Sequence, residues 1–293
     1  MNYKSLALSR RKLLTTAGSY LAAVPFLGLA GCGGDDSTIA GSVGDSTSTT
    51  GSGSETSTTV DTSTGWASGG TDLITVDYPA DTLFDGSSTC SVTMSAQTEG
   101  PCYFGVSESE DIAEGQTGLP MQLCLQFVDE DCNPLEGYLI EVWHCNRSGV
   151  YSGDTSDSDD SARFAGDYCT GNNSAAEAST WFRGELTTDS SGRVNFKSCF
   201  PGWYSGRTIH IHFRIRKANG GSDYLISQFC FDDSFTEEIC TTHAKYSSRG
   251  IQDTTLSGGR DTIFGSDYSE YLMNLQQNSD GSLLAYKRVV VSA

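Results

Sequence analysis

Apolar side chains alternate with polar ones along several short stretches of this 293-residue chain, and other stretches are rich in β-branched and aromatic residues. Alternation with a period of two is typical of β-strands, whose successive side chains point to opposite faces of a sheet. Polar turns separate these stretches, as at 189–192 and 278–281, and one short helix is expected at 234–244. We therefore predict an all-β fold, an antiparallel two-sheet β-sandwich with long loops and little helix. The predicted strands are 121–127, 138–143, 193–197, 209–215, 224–231 and 286–291.

A positively charged start followed by an apolar stretch marks residues 1–32 as an export signal. Residues 9–14 resemble a twin-arginine signal, and residues 29–32 resemble the cleavage motif of bacterial lipoproteins, which leaves a lipidated Cys32. A plain transmembrane anchor is the alternative, but the apolar stretch is short and interrupted by glycine and proline. We predict an exported lipoprotein that is anchored to a membrane, in the periplasm or at the cell surface. The charges before Asp35 are Lys4, Arg10, Arg11 and Lys12.

Residues 33–71 consist largely of serine, threonine and glycine, with few large apolar side chains. Such a segment cannot bury enough surface to offset the entropy of ordering it, so we predict a disordered, flexible linker in which Trp66 has no evident role. The folded part is then predicted to be residues 72–293, the size of one domain. The formal charge of −19 argues against a nucleic-acid partner, because phosphate binding needs clustered positive charge.

Two of the four histidines share a local pattern. His210 and His212 flank Ile211 in a predicted strand, so both imidazoles leave the same face of the sheet, as two metal ligands would. The alternative is a surface strand that happens to carry two histidines. The chain has no Cys-x-x-Cys pair, which disfavours structural zinc, and no His-x-Asp or His-x-Glu pair, which disfavours a ferrous facial triad. We expect His144 to pack near a strand end and His243 to lie on the surface of the helix.

Tyr151 and Tyr204 lie close to turns, and each taken singly has the pattern of an ordinary strand-end aromatic residue. A phenolate, however, is a hard, anionic oxygen donor. Two phenolates and two imidazoles together would neutralise most of the charge of a ferric ion and hold it in its oxidised form.

Several separated motifs occur along the chain in the order found in one enzyme family. On these motifs the sequence resembles the intradiol ring-cleavage dioxygenases, and among them the protocatechuate 3,4-dioxygenase branch with its exported single-domain relatives. The resemblance covers roughly residues 95–290, nearly all of the predicted globule. The motifs are 98–101, 134–137, 141–144, 148–151, 182–184, 188–192, 201–204, 210–213 and 225–228.

This resemblance implies an Fe(3+) cofactor and an enzyme that uses O2 to cleave a catechol-type aromatic diol to a cis,cis-muconate-type product. It implies catalytic roles for Tyr204, which leaves the iron and acts as a base when the diol binds, and for Arg207, which stabilises developing negative charge. Gln228 would line the substrate pocket beside Arg207. The implied iron ligands are Tyr151, Tyr204, His210 and His212.

Two positions depart from the family pattern, with Cys102 in place of an aromatic residue and Leu186 in place of a glutamine. An acidic run after Tyr151 lacks the glycine and distal glutamate of an EF-hand loop, so we expect a solvated loop rather than a calcium site. At the pocket mouth this run would repel carboxylated catechols, with Arg147 and Arg183 as local counter-charges. The acidic residues are Asp154, Asp157, Asp159 and Asp160.

Two other functions stay open on the sequence alone. A non-catalytic β-sandwich binding module of the cell envelope would keep the fold without the chemistry, although the matching ligand positions and Arg207 speak against it. A zinc-binding cell-surface protein would use His210 and His212 but would leave the matching tyrosines unexplained.

Ten cysteines in one chain suggest an oxidising compartment. Nine of them follow Cys32, and because nine is odd, at least one is unpaired or pairs between chains. We predict a disulfide between Cys230 and Cys240, and we expect Cys145 to be in a disulfide as well.

Overall fold

A computed structural model describes residues 59–60, 64–86, 89–90, 92–100, 102–154, 176, 178–218 and 223–292. These residues belong to one compact unit that spans residues 55–293. The predicted export signal, most of the predicted linker and the acidic residues Asp157, Asp159 and Asp160 lie outside the described residues. Within the described ranges, no helix has the length and apolar character that a membrane crossing needs.

Strands make up most of the regular structure in the described chain. One α-helix, α1 (Asp233–Thr242), is described along its whole length, at the position that the sequence predicts. Residues 183–187 and 274–277 also form strands, which the sequence does not predict because each stretch is short and largely polar. The strands are β1 (Thr59–Val60), β2 (Ala67–Ser68), β3 (Pro120–Val128), β4 (Tyr138–Trp143), β5 (Arg183–Thr187), β6 (Arg193–Cys199), β7 (His210–Lys217), β8 (Asp223–Cys230), β9 (Asn274–Gln277) and β10 (Leu283–Val290).

Two four-stranded sheets form a sandwich. Sheet I has the strand order β6-β3-β10-β9, and sheet II has the order β5-β4-β7-β8. Neighbouring strands are antiparallel except β3 and β10, which run parallel with Leu283 opposite Met121. The prediction of an all-β sandwich is confirmed, although one pair of strands is parallel. Side chains alternate with the same period in parallel and antiparallel strands, so the sequence pattern could not show this pair.

The core lies between the sheets and is rich in aromatic rings. Phe127 of sheet I meets Phe213 of sheet II with ring centroids 6.0 Å apart, and Phe213 stacks on Phe229 at 4.4 Å. β3 is buried along its whole length, on its outer face as well as its inner face. On the outer face Cys124 packs with Phe84, so a segment that precedes the sandwich covers this part of sheet I.

Helix α1 is fixed at both ends by polar contacts. At its start, the Asp232 carboxylate accepts a hydrogen bond from the Ser234 amide at 2.8 Å. At its end, the ring of His243 is buried, with Nε2 2.9 Å from the Ala67 carbonyl oxygen. The expectation of a surface position for His243 is therefore wrong, because β2 covers this end of the helix.

Trp66 is buried, although the sequence predicts that it lies in a flexible linker without an evident role. Its indole N–H donates to Glu238 Oε1 on α1 at 3.1 Å, and its ring meets Phe235 edge-on at 5.9 Å. Packed residues therefore occur before Asp72, where the sequence predicts that the folded part begins.

The cysteines divide into disulfides and buried thiols. Cys90 and Cys132 form a disulfide, and Cys102 is also disulfide-bonded. The predicted Cys230–Cys240 pair is wrong, because both thiols are free and Cys230 Sγ instead contacts the Tyr268 carbonyl oxygen at 4.0 Å. The free, buried thiols in the described chain are Cys124, Cys145, Cys199, Cys230 and Cys240, so the disulfide expected for Cys145 is wrong as well.

Candidate active site

β7 carries two buried histidines at one end of sheet II. His210 and His212 are two residues apart in the strand, and their Nε2 atoms lie 3.1 Å from each other. Ile211, between them, turns its side chain into the hydrophobic core. The period-two pattern of the strand therefore separates one apolar core residue from two imidazoles that share a face.

A tight turn after β4 brings Tyr151 to these histidines. Asn146 Oδ1 accepts hydrogen bonds from the amides of Ser148 at 2.9 Å and Val150 at 3.1 Å. Gly149 has a φ of +81°, and a Cβ there would lie 2.1 Å from the Trp203 carbonyl oxygen, so this turn needs glycine. The buried Tyr151 Oη that results is 3.0 Å from His212 Nε2 and 3.4 Å from His210 Nε2.

Tyr204 approaches from the turn that precedes β7. Its Oη lies 3.1 Å from His210 Nε2, and its ring centroid lies 5.9 Å from that of Tyr151. The turn itself is packed closely, because a Cβ on Gly202 would lie 2.3 Å from the Arg147 carbonyl oxygen. We call the four converging atoms, Tyr151 Oη, Tyr204 Oη, His210 Nε2 and His212 Nε2, the donor cluster.

Hydrogen bonding fixes how His210 presents its lone pair. Its Nδ1 lies 2.6 Å from the Thr208 carbonyl oxygen, which can only accept, so Nδ1 carries the proton and Nε2 carries the lone pair. That single lone pair faces Tyr151 Oη, Tyr204 Oη, His212 Nε2 and, at 3.4 Å, Arg207 Nη1. One acceptor cannot satisfy four neighbours, so the donor cluster has more converging groups than hydrogen bonds can pair.

Burial shifts the titration of the donor cluster in a consistent direction. It raises the pKa of the Tyr151 and Tyr204 phenols well above their usual value. It lowers the pKa of His210 and His212, and the positive charge of Arg207 lowers both further. The protein alone therefore favours neutral phenols and neutral imidazoles, which leaves nitrogen lone pairs free to bind a cation.

His212 is held by packing rather than by a second hydrogen bond. Its ring stacks on Trp143 at 5.0 Å, and its buried Nδ1 has no hydrogen-bond partner in the described part of the chain. Gly100 also approaches the ring with a φ of +80°, and a Cβ there would lie 2.2 Å from His212 Cε1. A side chain at position 100 would therefore displace the ring.

Arg207 and Gln228 lie beside the donor cluster and bond to each other. Arg207 Nη2 donates to Gln228 Oε1 at 2.7 Å, and Gln228 Nε2 donates to the Thr98 carbonyl oxygen at 2.9 Å. An adjacent cavity of about 400 Å³ shares Arg207 and Gly100 with the surroundings of the cluster. Its lining residues are Thr98, Gly100, Ser205, Gly206, Arg207, Thr262 and Ile263.

A family model matches most of the part of the chain that holds these residues. Residues 99–257, more than half of the chain, match a family described as Dioxygenase. The chain belongs to the intradiol ring-cleavage dioxygenases.

Solved structures agree with this assignment at the level of the fold. The chain is 24% identical to an intradiol ring-cleavage dioxygenase from Tetranychus urticae, with a TM-score of 0.57 over 69% of this chain and 94% of that one. A second solved dioxygenase has 24% identity and a TM-score of 0.53, over 69% of this chain and 95% of that one.

The two departures from the family pattern occupy different places in the structure. Cys102 is fully buried and packs with Trp143, Tyr151 and Tyr204, so it forms part of the wall behind the tyrosines. Leu186 lies on β5 opposite Ile140 and packs against the hydrophobic core. Only the first departure therefore bears on the site.

Two buried charged residues lie near the donor cluster, and the sequence marks only one of them. Asp261 is fully buried and pairs with Arg207, 54 residues away. Arg183 packs behind Tyr151, where its Nε donates to Ser152 Oγ at 2.6 Å and its guanidinium lies 4.0 Å from the Phe104 ring. Burial lowers the pKa of Arg183 to about 9. The FRG motif marked Arg183, but no local pattern marks Asp261.

His144, by contrast, has a structural place. Its Nδ1 lies 2.8 Å from the Cys145 carbonyl oxygen and its Nε2 2.8 Å from Ser198 Oγ, so both ring nitrogens are paired away from the donor cluster. In the described chain, no group of three or more His, Cys, Asp or Glu side chains could hold a metal ion. The donor cluster, with its two tyrosines, is a different kind of site.

Proposed function

We propose that this protein is a non-haem, Fe(III)-dependent intradiol dioxygenase that cleaves a catechol-type diol with O2 to a cis,cis-muconate-type product. The observation that carries this proposal is the convergence of two phenol oxygens and two imidazole nitrogens at 3.0–3.4 Å in a buried site. Two ligands about 2.1 Å from one metal ion lie about 3.0–3.4 Å apart at ordinary coordination angles. Tyr151, Tyr204, His210 and His212 therefore fit a shared metal ion.

The chemistry of the donors supports ferric iron rather than zinc. Two phenolates are hard anions, and they would offset two of the three positive charges of Fe(III). Since burial raises the pKa of both phenols, a strongly charged cation is needed to release their protons. When bound, Fe(III) would supply Lewis-acid chemistry that makes an electron-rich diol reactive toward O2.

The protein's own residues bind and orient the diol in this proposal. The cavity of about 400 Å³ is of a size suited to a small aromatic ligand. The Tyr204 phenolate takes a proton from an incoming hydroxyl group at its Oη. Arg207, held by Gln228 at 2.7 Å, directs Nη1 toward the donor cluster and stabilises negative charge as it develops on the substrate.

The experiment that tests this function is reconstitution with ferric iron, followed by visible absorption and oxygen uptake with a panel of catechols. We expect one iron per chain, a broad band from two coordinated tyrosinates, and one O2 consumed for each diol cleaved. Tyr204→Phe should shift or remove the band and abolish turnover. Tyr286→Phe, a tyrosine on β10 of sheet I, is the matched control and should change neither.

Three results would contradict parts of the proposal. A colourless protein that cannot be reconstituted with iron would exclude the ferric site. Iron binding with the expected colour but no oxygen uptake with any catechol would favour the non-catalytic binding module. Zinc binding that depends on His210 and His212 but not on the tyrosines would favour a zinc protein.

We further propose, from residues 1–32 of the sequence, that the protein is exported and attached to a membrane through lipid on Cys32. Detergent phase partitioning of the protein from its native host tests this. Full-length protein should enter the detergent phase, and Cys32→Ala should move it to the aqueous phase. Aqueous partitioning of the wild type would contradict the anchor.

A further inference from the structure

Asp261 uses its two carboxylate oxygens for two different tasks. Oδ2 accepts hydrogen bonds from Arg207 Nε and from the Thr208 amide, both at 2.9 Å. Oδ1 accepts from the amide of Ile263 at 2.9 Å and of Phe264 at 3.3 Å. One oxygen therefore faces the segment that leads into β7, and the other organises the loop that follows Asp261 itself.

The guanidinium of Arg207 is consequently held in three directions. Nε is paired with Asp261, Nη2 with Gln228, and Nη1 lies 3.4 Å from His210 Nε2. Because a guanidinium is planar, fixing Nε and Nη2 also fixes where Nη1 points. In the described chain, the ion pair of Arg207 is with Asp261.

The same aspartate also fixes part of the cavity wall. Thr262 and Ile263 line the cavity together with Arg207, and they come directly after Asp261 in the chain. The Oδ1 bond to the Ile263 amide ties that wall to the carboxylate that holds Arg207. A shift of Asp261 would therefore move the arginine and this part of the cavity wall together.

We propose that Asp261 is a positioning residue of the active site, which directs Arg207 at the donor cluster and couples it to the wall formed by Thr262 and Ile263. This rests on the proposed function, in which Arg207 contacts the substrate. The competing view is that Asp261 only folds its own loop, and the two oxygens allow the two views to be separated.

Asp261→Asn is the decisive variant. The amide oxygen of asparagine can keep the bonds to the Ile263 and Phe264 amides. Its NH2 group then meets Arg207 Nε–H and the Thr208 N–H, so donors face donors and the pairing with Arg207 is lost. Asp261→Glu restores the carboxylate with one extra methylene and should recover part of the function.

Asp233→Asn is the matched control. Asp233 also organises a loop with two oxygens, since Oδ1 accepts from the Leu256 amide and Oδ2 from the Ser257 amide, both at 2.9 Å. Among the described residues, no hydrogen bond joins Asp233 to Arg207; Asp233 Oδ1 instead accepts from Gln252 Nε2 at 3.3 Å. An effect that comes only from losing a carboxylate that organises a loop should therefore be seen in both variants. An effect that comes from losing the position of Arg207 should be seen in Asp261→Asn alone.

The test has a kinetic arm with iron-loaded enzyme and unsubstituted catechol. We expect Asp261→Asn to lower kcat about 10- to 100-fold, the range found for outer partners of a metal site, while its visible band stays in place. Asp233→Asn should stay within about twofold of wild type. Equal losses in both variants, or unchanged kcat in Asp261→Asn, would overturn the proposal.

A second arm measures amide hydrogen exchange in the metal-free protein, and it does not depend on turnover. Asp261→Asn should speed exchange of the Thr208 amide about tenfold while the Ile263 amide keeps its protection. Unchanged protection at Thr208, or equal loss at both amides, would overturn the proposal. If the wild-type enzyme does not turn over catechol but Asp261→Asn still speeds exchange of the Thr208 amide, only the proposed function is contradicted.

Discussion

The two sheets of the sandwich both bury polar side chains, but the hydrogen bonding of these side chains differs between the sheets. In sheet I, Gln122 Nε2 donates to the Val76 carbonyl oxygen at 3.0 Å and Gln126 Nε2 to that of Ser191 at 3.0 Å. In sheet II, His210 has several neighbours for one lone pair, and His212 Nδ1 has none in the described chain. Buried polar groups are normally paired, so the mismatch at His210 and His212 calls for an explanation, and the proposed metal ion supplies one.

This difference predicts that mutations in the two sheets should affect different properties. Changes in the apolar positions of sheet I should lower the free energy of unfolding and leave the chemistry of the folded molecule intact. Changes around the donor cluster in sheet II should alter metal binding or pH dependence more than stability.

Leu123→Ala should give the largest effect on stability. Leu123 is fully buried on β3 of sheet I, and its loss should lower the free energy of unfolding by about 4 kcal/mol through lost burial and a cavity. Denaturant unfolding measures this, and Leu123→Met should cost only about 1 kcal/mol. Iron content and turnover per folded molecule should match wild type. A tenfold fall in turnover of the folded fraction would show that packing in sheet I also affects the chemistry at the donor cluster.

His144 should make the metal-free protein sensitive to acid. Burial lowers the pKa of His144 to about 4 from an unfolded value of 6.5, so between these values the unfolded state binds the extra proton. Stability from this group is then fully present above pH 6.5 and is lost as the pH falls to 4, by up to about 3 kcal/mol.

The measurement is the difference in the pH dependence of unfolding between wild type and His144→Gln. The variant should have a shallower slope between pH 4 and 6.5. Ser198→Ala, which removes the hydroxyl group that faces His144 Nε2, should keep the wild-type slope because the histidine still titrates. Identical slopes for wild type and His144→Gln would contradict the prediction.

Gly100→Ala should weaken the proposed metal site without unfolding the protein. A methyl group at this position would lie 2.2 Å from His212 Cε1, so the ring must move away from the donor cluster. We expect iron affinity to fall about 10- to 100-fold, as for other changes that misorient a ligand, and competition with a chelator would measure it. Gly105→Ala is the control, since a Cβ there meets nothing within 4 Å. Equal affinity in both variants would mean that His212 does not need this space.

Local patterns predicted the strands and the paired histidines, because both depend only on which face of a strand a residue occupies. His210 and His212 share a face for the same reason that Ile211 enters the core. The parallel pairing of β3 and β10 could not be predicted in this way, because side chains alternate with a period of two in parallel and antiparallel strands alike.

Contacts between distant segments account for what sequence reasoning missed. The bond between Asp261 and Arg207 joins residues 54 apart, in a loop that no alternation or motif marks. His243 and Trp66 look exposed in sequence because the segments that bury them are far along the chain: the Ala67 carbonyl contacts the histidine, and Glu238 accepts from the tryptophan. The two tyrosines are assigned to the site by family resemblance, because each taken singly has the pattern of an ordinary strand-end aromatic residue.

Glu238→Gln should give the smallest effect, and it tests a contact that stabilises the fold rather than the donor cluster. The Trp66 indole N–H donates to Glu238 Oε1 at 3.1 Å, and replacing the charged acceptor with a neutral amide should lower the free energy of unfolding by about 1 kcal/mol. Thermal unfolding of the metal-free protein measures the change, with Glu237→Gln on the same helix as the control. Iron affinity should be unchanged, because this contact fixes the N-terminal segment to α1 and not to the donor cluster. A fall in iron affinity would show that the packing of Trp66 reaches the site through the helix.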